Sequence, residues 1–419
     1  MALGFRVIRA VGGAALALIM LLPGLAAARE PLRIAVIDML SGPFALEGDA
    51  MVRHLRHMAE EFNKRGGALG RELEIIPFDN KGSPQESLVI LRQVADRGIQ
   101  YIAQGNGSHV AGALVEALEK HNQRNPDKPI LFLNYSAINP ELTNEQCSFW
   151  HFRFDANTAM RLNVITDYMV GQSKIRKVFL INQDYAHGQQ VSSLTKEMLA
   201  RKAPGIEIVG DVLHPIGKVK DFAPYIARIR AAGADTVVTG NWGNDLSLLV
   251  KAGAEAGLNV GYYTFYAGGF GVPTAIGEAG GDQVYQVTEW HRDLPMEENK
   301  PELAQLADVF TRQNGERIPW YFHRTSTLMG MLVRAVEQAG TAEPRKVAEA
   351  LEGLSYPTAL GVARMRAEDH QLLQPLYISR FSKAARYEAE HSGLGWVTVE
   401  RVPAEQTALP TSCQMKRPE

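Results

Sequence analysis

Three residue patterns in this sequence could support catalysis or cofactor binding, and each has a simpler interpretation. Ser108 and His109 place a nucleophile beside a base, but sequence neighbours rarely reach that geometry and no G-x-S-x-G motif surrounds them. His54, His57 and Glu61 have a helical spacing that could bind a metal ion, although it is more typical of a solvated polar face. The glycine-rich stretch GGFGVPTAIGEAGG lacks the spacing of a dinucleotide site. We therefore expect no enzyme activity, no metal and no cofactor.

Polar and aromatic residues follow five predicted strands, which favours a binding site over a catalytic one. Ligands of open parallel sheets bind beyond the carboxyl ends of the strands. Small-molecule sites combine apolar walls with a few placed polar groups, and these loops offer both. The loops are NGS at 106–108, YSAINPELT at 135–143, QDYAHG at 183–188, NWGN at 241–244 and YAGG at 266–269.

The elements that must position these loops alternate between strands and helices. Predicted strands include LRIAVIDML, LEIIPFD, IQYIAQG, PILFLN, KVFLIN, IEIVGDVLH, DTVVTG, VGYYTF and VYQVTEW. One predicted helix carries Met51, Leu55, Met58 and Phe62 on one face, and another begins with Ser83 as its N-cap. The alternation predicts parallel sheets covered by helices on both faces. Because the strands exceed what one such sheet holds, we predict an α/β fold with two lobes, divided near residues 150–157, and a cleft between them.

The last third of the chain is predicted as two long helices, two short strands and an irregular tail. The strands are GVARMR and PLYISRF, with a turn AEDHQ between them. Two cysteines, Cys147 and Cys413, are present. In an oxidising compartment they are interpreted as a disulfide that holds the tail, with two unrelated thiols as the alternative.

The N-terminus predicts export. Arg6 and Arg9 precede an apolar run, and small residues at 26–28 suit cleavage after Ala28, so residues 1–28 are predicted to be a signal peptide. We expect a periplasmic protein. With 44 Lys and Arg against 46 Asp and Glu, no basic surface points to nucleic acid.

Seven segments occur in order over nearly the whole mature chain and carry a family resemblance. They are SGPFALEGD, EFNKRGGALGRELEIIPFDNKGSP, NYSAINPELT, RFDANT, NQDYAHG, KDFAPYIARIRAAGADTVV and GVARMRAEDHQ. Together they resemble the leucine/isoleucine/valine-binding proteins, the type I periplasmic solute-binding proteins of ABC importers.

The resemblance implies two Rossmann-like lobes joined by three crossings, near 153–157, 288–292 and 352–360, that close on a ligand. On this basis lobe 1 comprises 29–154 plus 290–355. Lobe 2 comprises 155–289 plus 356–400, and the tail comprises 401–419.

Residue-by-residue matching to the family places nine residues in the pocket. Ser108 matches the serine that binds the ligand carboxylate, and Tyr266 matches the glutamate that holds the ammonium of amino-acid ligands. Ile138 stands where amino-acid binders carry threonine. The other predicted contacts are Glu47, Ser136, Ala137, His187, Trp242 and Trp320.

Tyr266 and Ile138 depart from the amino-acid-binding pattern. Isoleucine offers no hydroxyl, and a buried ammonium needs a counter-charge or a full set of acceptors. Trp242 and Trp320 could stack with Tyr266 on a flat ligand, while Glu47 could bind a hydroxyl or take over the ammonium.

We expect a monomeric substrate-binding protein of a branched-chain-amino-acid-type ABC transporter. It would capture an amino acid or, as the departures favour, a carboxylate such as an aromatic acid, and deliver it to a membrane permease. The alternative is a sensory module that presents its ligand to a membrane receptor.

Three residues near these loops have less certain roles. His187 is compatible with a ligand contact, a pH-sensitive latch or a surface position. Tyr185 is expected to pack against its lobe, and Arg153 is expected to form a structural ion pair near the first crossing.

Overall fold

The computed structural model describes residues 1–2, 29–269, 271–314 and 322–418, and it shows two α/β lobes, as predicted. The predicted signal peptide beyond Ala2 lies outside these ranges, and so does the predicted pocket residue Trp320.

A five-stranded parallel sheet with the order β2-β1-β3-β4-β5 forms the centre of the first lobe. Its strands are β1 (Leu32–Asp38), β2 (Leu73–Asp79), β3 (Tyr101–Gln104), β4 (Leu131–Asn134) and β5 (His151–Arg153). Side chains alternate along each strand, so β1 buries Ala35 and Ile37 on one face and Ile34 and Val36 on the other.

Helices cover both faces of this sheet. One face packs against α2 (Pro84–Asp96) and α3 (Ser108–Arg124), and the other against α1 (Ala45–Asn63). Later in the chain, α10 (Pro301–Asn314), α11 (Phe322–Ala339) and α12 (Pro344–Leu351) join the α1 side. The predicted cap is confirmed, because Ser83 Oγ accepts a hydrogen bond from the Glu86 N–H at 3.2 Å.

A seven-stranded mixed sheet forms the second lobe, in the order β15-β14-β10-β9-β8-β6-β7. The parallel strands are β6 (Lys177–Gln183), β7 (Glu207–His214), β8 (Thr236–Val238), β9 (Gly261–Thr264) and β10 (Val284–Thr288). Antiparallel strands β14 (Leu376–Ser382) and β15 (Gly395–Val402) extend the edge next to β10.

In the part of the chain that the structure describes, several helices belong to the second lobe or to its connections. They are α4 (Thr158–Val170), α5 (Ala186–Lys202), α6 (Ala223–Ala231), α7 (Gly243–Glu255), α8 (Val272–Ile276) and α9 (Leu294–Glu297). The helices α4 and α5 cover one face of the sheet, and α6 and α7 cover the other.

A small antiparallel sheet sits between α12 and β14, and its position was not anticipated. It consists of β11 (Ser355–Thr358), β12 (Gly361–Met365) and β13 (Leu372–Leu373). It contacts first-lobe residues: the Arg153 N–H donates to the His370 carbonyl at 2.9 Å, and the His370 ring stacks on Phe152 at 3.8 Å. The predicted strands GVARMR and PLYISRF therefore lie in different sheets.

These contacts bear on the predicted lobe boundaries. The chain enters the second-lobe sheet at Leu376, immediately after this small sheet. We propose that the last crossing lies between Leu373 and Leu376, because the preceding segment rests on the first lobe.

After β15 the tail first contacts the second lobe and then ends on the first lobe. A short helix, α13 (Ala404–Thr407), packs against α4. Beyond it, Cys413 is joined to Cys147 in a disulfide with a Cα–Cα distance of 5.7 Å. The Thr411 hydroxyl donates to the Thr143 carbonyl at 3.1 Å, and the Arg417 guanidinium lies 2.6 Å from a Glu352 carboxylate oxygen.

Candidate functional site

Three helices begin beside one another at the cleft between the lobes. The helix α3 follows β3 in the first lobe, while α5 and α7 follow β6 and β8 in the second. Their N-terminal ends border a cavity with an empty volume of about 430 Å³, part of it open to solvent. The cavity is lined by Glu47, Gly105, Asn106, Gly107, Ser108, Ser136, Ile138, Tyr185, His187, Trp242, Gly243, Tyr266 and Gly269.

Helix N-termini make this cavity favourable for an anion. The first backbone N–H groups of a helix lack intrahelical acceptors, and the helix dipole places partial positive charge there. Ser108 is the first residue of α3, and its Oγ lies 3.3 Å from the Asn139 N–H, which donates to it. The hydroxyl proton of Ser108 therefore stays available to a ligand oxygen.

A turn after β4 forms the rest of the first-lobe wall. Asn134 Oδ1 accepts the N–H groups of Ser136 and Ala137 at 3.1 Å and 2.8 Å, and its Nδ2 donates to the Ala137 carbonyl at 2.9 Å. This arrangement presents Ser136 and Ile138 to the cavity. Ala137 packs into the first-lobe core instead and does not line the cavity, so its predicted role as a contact gains no support from the geometry.

Aromatic rings form the second-lobe wall. The indole Nε1 of Trp242 donates to the Tyr185 hydroxyl at 2.9 Å. The Trp242 ring also lies 4.1 Å, centroid to centroid, from Phe44 of the first lobe. Tyr185 was expected to pack within its lobe, yet it lines the cavity. Its place two residues before the predicted histidine contact was the available sequence signal.

His187 lies inside the cleft wall and is not on the surface. It is 1% exposed, and its Nδ1 lies 2.9 Å from the Thr158 hydroxyl. Burial lowers its pKa to about 3, and Arg161 acts in the same direction. The imidazole is therefore neutral at pH 7, and the surface position considered from the sequence is wrong.

Glu47 supplies a carboxylate from the first lobe. It lies in the first turn of α1 and is 6% exposed. Its pKa is raised to about 7, mainly by burial, with smaller contributions from the nearby Asp38 and Glu390 carboxylates. Across the cleft stands Gly243, with φ of 55°; a Cβ on it would come within 2.5 Å of Glu47 Oε1. A Cβ here would require Glu47 to shift and would strain a backbone with positive φ, and glycine avoids both.

The Tyr266 hydroxyl occupies the end of the cavity nearest the crossings. It lies 3.4 Å from the Ser136 carbonyl oxygen and 3.4 Å from Asp155 Oδ2. Behind it lie four fully buried charges: Asp155, Arg161, Glu289 and Arg324. Sequence reasoning missed this cluster, because most of its pairs join residues far apart in the chain. Asp155 and Arg161 are six residues apart, but Arg324 and Glu289 are 35 apart and Arg161 and Glu289 are 128 apart.

Seven of the nine predicted contacts are brought together: Glu47, Ser108, Ser136, Ile138, His187, Trp242 and Tyr266. Arg153 is structural, as expected, but it donates to amide and carbonyl oxygens: Nε reaches Gln371 Oε1 at 2.8 Å and Nη1 reaches the Asn139 carbonyl at 2.7 Å.

The helix-face histidines have a packing role. His54 stacks on Phe310 at 4.1 Å, and His57 meets the same ring edge-on at 4.9 Å. Among the described residues, no group of three or more His, Cys, Asp or Glu side chains is arranged to hold a metal ion.

Two α/β lobes, several chain crossings and a cleft lined from both sides define the class of periplasmic binding proteins. Residues 31–386 match the periplasmic binding protein family. The chain is 33% identical over 417 residues to Leu/Ile/Val-binding protein homolog 4 of Brucella abortus, which covers 97% of this chain and 98% of that protein.

Solved structures agree with this assignment. The closed conformation of the leucine-, isoleucine-, valine-, threonine- and alanine-binding protein from Brucella ovis has a TM-score of 0.83 and 32% identity, covering 93% of this chain and all (100%) of that one. A solute-binding protein of R. palustris in complex with benzoate has a TM-score of 0.76 at 19% identity, covering 92% and 99%, and shows likeness of fold.

The chain therefore belongs to the periplasmic binding protein family, in its leucine/isoleucine/valine-binding branch. It is a solute-binding protein of an ABC transporter, which takes up a small molecule for a membrane permease, and it is not an enzyme. Its family is periplasmic. None of the described helices is long and apolar enough to cross a membrane.

Proposed function

We propose that the transported solute is a small carboxylate without an α-ammonium group, with an aromatic acid as the favoured class. The observation that carries this proposal is the position of the Tyr266 hydroxyl, 3.4 Å from both the Ser136 carbonyl and the Asp155 carboxylate. In the matched family pattern this is the place of the ammonium-binding glutamate. A neutral hydroxyl occupies it here, and it already faces the acceptors that an ammonium would need.

The rest of the cavity suits a flat anion. Ser108 and the first turn of α3 offer hydrogen-bond donors to a carboxylate, and the starts of α5 and α7 add their dipoles. Trp242, Tyr185 and Tyr266 supply aromatic surface on the opposite side. The structurally similar R. palustris protein, whose structure contains benzoate, supports the idea that this fold accommodates such a ligand.

A branched-chain or other small aliphatic amino acid is the second candidate. The Brucella relatives, which are named as leucine-, isoleucine- and valine-binding proteins, favour it. In that case the ammonium partner would be Glu47, the one carboxylate among the described residues that line the cavity. An ammonium next to Glu47 would stabilise its ionised form.

A thermal-shift panel on unfolded, ligand-stripped and refolded protein tests the two candidates. The panel contains benzoate, 4-hydroxybenzoate and phenylacetate, with leucine, valine and threonine as the amino acids and benzamide as the control that lacks a carboxylate. A solute at a hundred times its Kd adds about 2.7 kcal/mol of stability, which is readily visible as an increase in Tm. We expect shifts with aromatic carboxylates and no shift with leucine or benzamide.

The Tyr266→Glu variant sharpens this test, because it restores the family's ammonium-binding carboxylate. We expect it to lose affinity for aromatic acids by at least tenfold, since it brings a negative charge towards an anionic ligand. Tyr266→Phe, which keeps the ring, is the matched control and should retain most of that affinity. Stabilisation of the wild-type protein by leucine or valine alone would contradict the proposal and assign the ammonium to Glu47.

A further inference from the structure

The four buried charges behind Tyr266 are arranged so that each carboxylate contacts both arginines. Glu289 Oε2 lies 2.9 Å from Arg161 Nη2, and Glu289 Oε1 lies 2.5 Å from Arg324 Nη2. Asp155 repeats the pattern: its Oδ1 pairs with Arg161, and its Oδ2 lies 3.1 Å from Arg324 Nη2. We name these four residues the four-charge clamp. Two cations and two anions in alternation give a neutral ring.

The positions of these residues in the chain relate the clamp to the lobes. Arg161 lies on α4 of the second lobe, and Arg324 lies on α11 of the first lobe. The two carboxylates lie in the segments that connect the lobes: Asp155 between β5 and α4, and Glu289 directly after β10. Each carboxylate therefore links an arginine of one lobe to an arginine of the other at the first two crossings.

The clamp also reaches the ligand cavity. Arg324 Nη1 donates to Ser136 Oγ at 3.1 Å, and Asp155 faces the Tyr266 hydroxyl at 3.4 Å. The Arg161 guanidinium lies 5.5 Å from the centroid of the Tyr266 ring. Two cavity-lining residues are thus held by the same charges that join the lobes.

Relative rotation of the lobes must move Arg161 and Arg324 in different directions relative to the carboxylates between them. A buried carboxylate that loses one of two arginine partners is left with an uncompensated, desolvated oxygen, which is costly. The closed arrangement, with all contacts made, is the one that the clamp stabilises.

We propose that Asp155, Arg161, Glu289 and Arg324 are positioning residues that set the balance between open and closed lobes, and that they raise ligand affinity without touching the ligand. Tyr266 and Ser136 connect the clamp to the cavity. The proposal goes beyond the identity of the solute and holds for an aromatic acid or an amino acid alike.

The test measures the distance between the lobes in ligand-free protein. Spin labels on cysteines introduced at the exposed positions Glu116 on α3 and Glu197 on α5 report this distance by double electron–electron resonance. The native cysteines form a disulfide and do not take the label. The variants are Glu289→Gln and Arg324→Lys. Asp369→Asn is the control, because it removes a buried carboxylate from a local pair with Arg366 that joins no lobes.

We expect a longer mean distance in ligand-free Glu289→Gln, a smaller increase in Arg324→Lys, which retains the charge, and no change in the control. Affinity for the solute that the panel selects, 4-hydroxybenzoate or leucine, should fall at least tenfold in Glu289→Gln.

An unchanged distance distribution in both clamp variants, each folded by circular dichroism, would overturn the proposal. If Glu289→Gln does not fold, the distance measured in Arg324→Lys alone tests whether the clamp sets the separation of the lobes. Because the distances are measured without solute, failure of the aromatic-acid proposal leaves this result intact.

Discussion

At the scale of single residues, Glu47 makes the ligand-free protein sensitive to pH. Its pKa rises from 4.5 to about 7 in the folded protein, mainly because of burial. The folded state therefore holds a proton that the unfolded state has lost between these pH values, and stability must fall as pH rises through this window. For an isolated group the loss is about 3 kcal/mol.

The Glu47→Gln variant should remove this loss, because glutamine does not titrate. We expect the unfolding free energy of the variant, relative to wild type, to rise by up to about 3 kcal/mol between pH 4.5 and pH 7.5. Urea unfolding of ligand-free protein at several pH values measures it. Glu60→Gln, on the exposed side of the same helix, is the control. If the unfolding free energies of wild type and Glu47→Gln have the same pH dependence, the pKa of Glu47 is not raised.

The residues of the cavity wall could be found from the sequence where they follow a strand. Ser108, Trp242 and Tyr266 each stand in such a loop, and parallel strands bring these loops to one edge. Glu47 lies within a helix and was found through the family pattern. The clamp could not be found, because Asp155 and Arg324 meet only when two distant segments fold together.

At the scale of elements, the start of α7 sets how closely the lobes approach. Gly243 has φ of 55°, and a Cβ there would lie 2.5 Å from Glu47 Oε1 and 3.3 Å from Phe44. Gly257, at the other end of the same helix, has φ of 65° and no neighbour within 4 Å. Both glycines adopt a positive φ. They differ because a Cβ on Gly243 would meet first-lobe side chains across the cleft, whereas a Cβ on Gly257 would meet nothing.

Substitution of each glycine by alanine separates these two effects. Both variants should lose about 1 kcal/mol of stability, because a Cβ is unfavourable in the left-handed region. Gly243→Ala should also bind its solute at least tenfold more weakly, since the cleft cannot close fully. Isothermal titration calorimetry on both variants measures this, and equal affinities would refute a role for Gly243 in closure.

The strands and helices themselves were largely predictable, because hydrophobic periodicity and caps such as Ser83 are local signals. The pairing of later strands was not predictable. GVARMR and PLYISRF are both predicted as short strands. In the structure, β12 joins the small sheet on the first lobe, whereas β14 joins the second-lobe sheet. Contacts between residues far apart in the chain, such as His370 with Phe152, determine which sheet each strand joins.

At the scale of the whole molecule, the disulfide joins residues 266 positions apart. Closing so long a loop in the unfolded chain is worth up to about 5 kcal/mol in the entropic account. We expect the paired variant Cys147→Ser/Cys413→Ser to unfold at a markedly lower urea concentration than wild type. Wild type under reducing conditions should match it, and equal midpoints for oxidised and reduced wild type would contradict this prediction.

The tail has a mechanical consequence for a protein that works by opening and closing. Strand β15 ends at Val402 in the second lobe, and the disulfide anchors Cys413 to the first. Residues 403–412 connect these two anchors, and the eleven Cα–Cα steps from Val402 to Cys413 span about 35–40 Å when fully extended. While the disulfide is intact, this length is the greatest distance by which the two anchors can separate, and reduction of the disulfide would remove that limit.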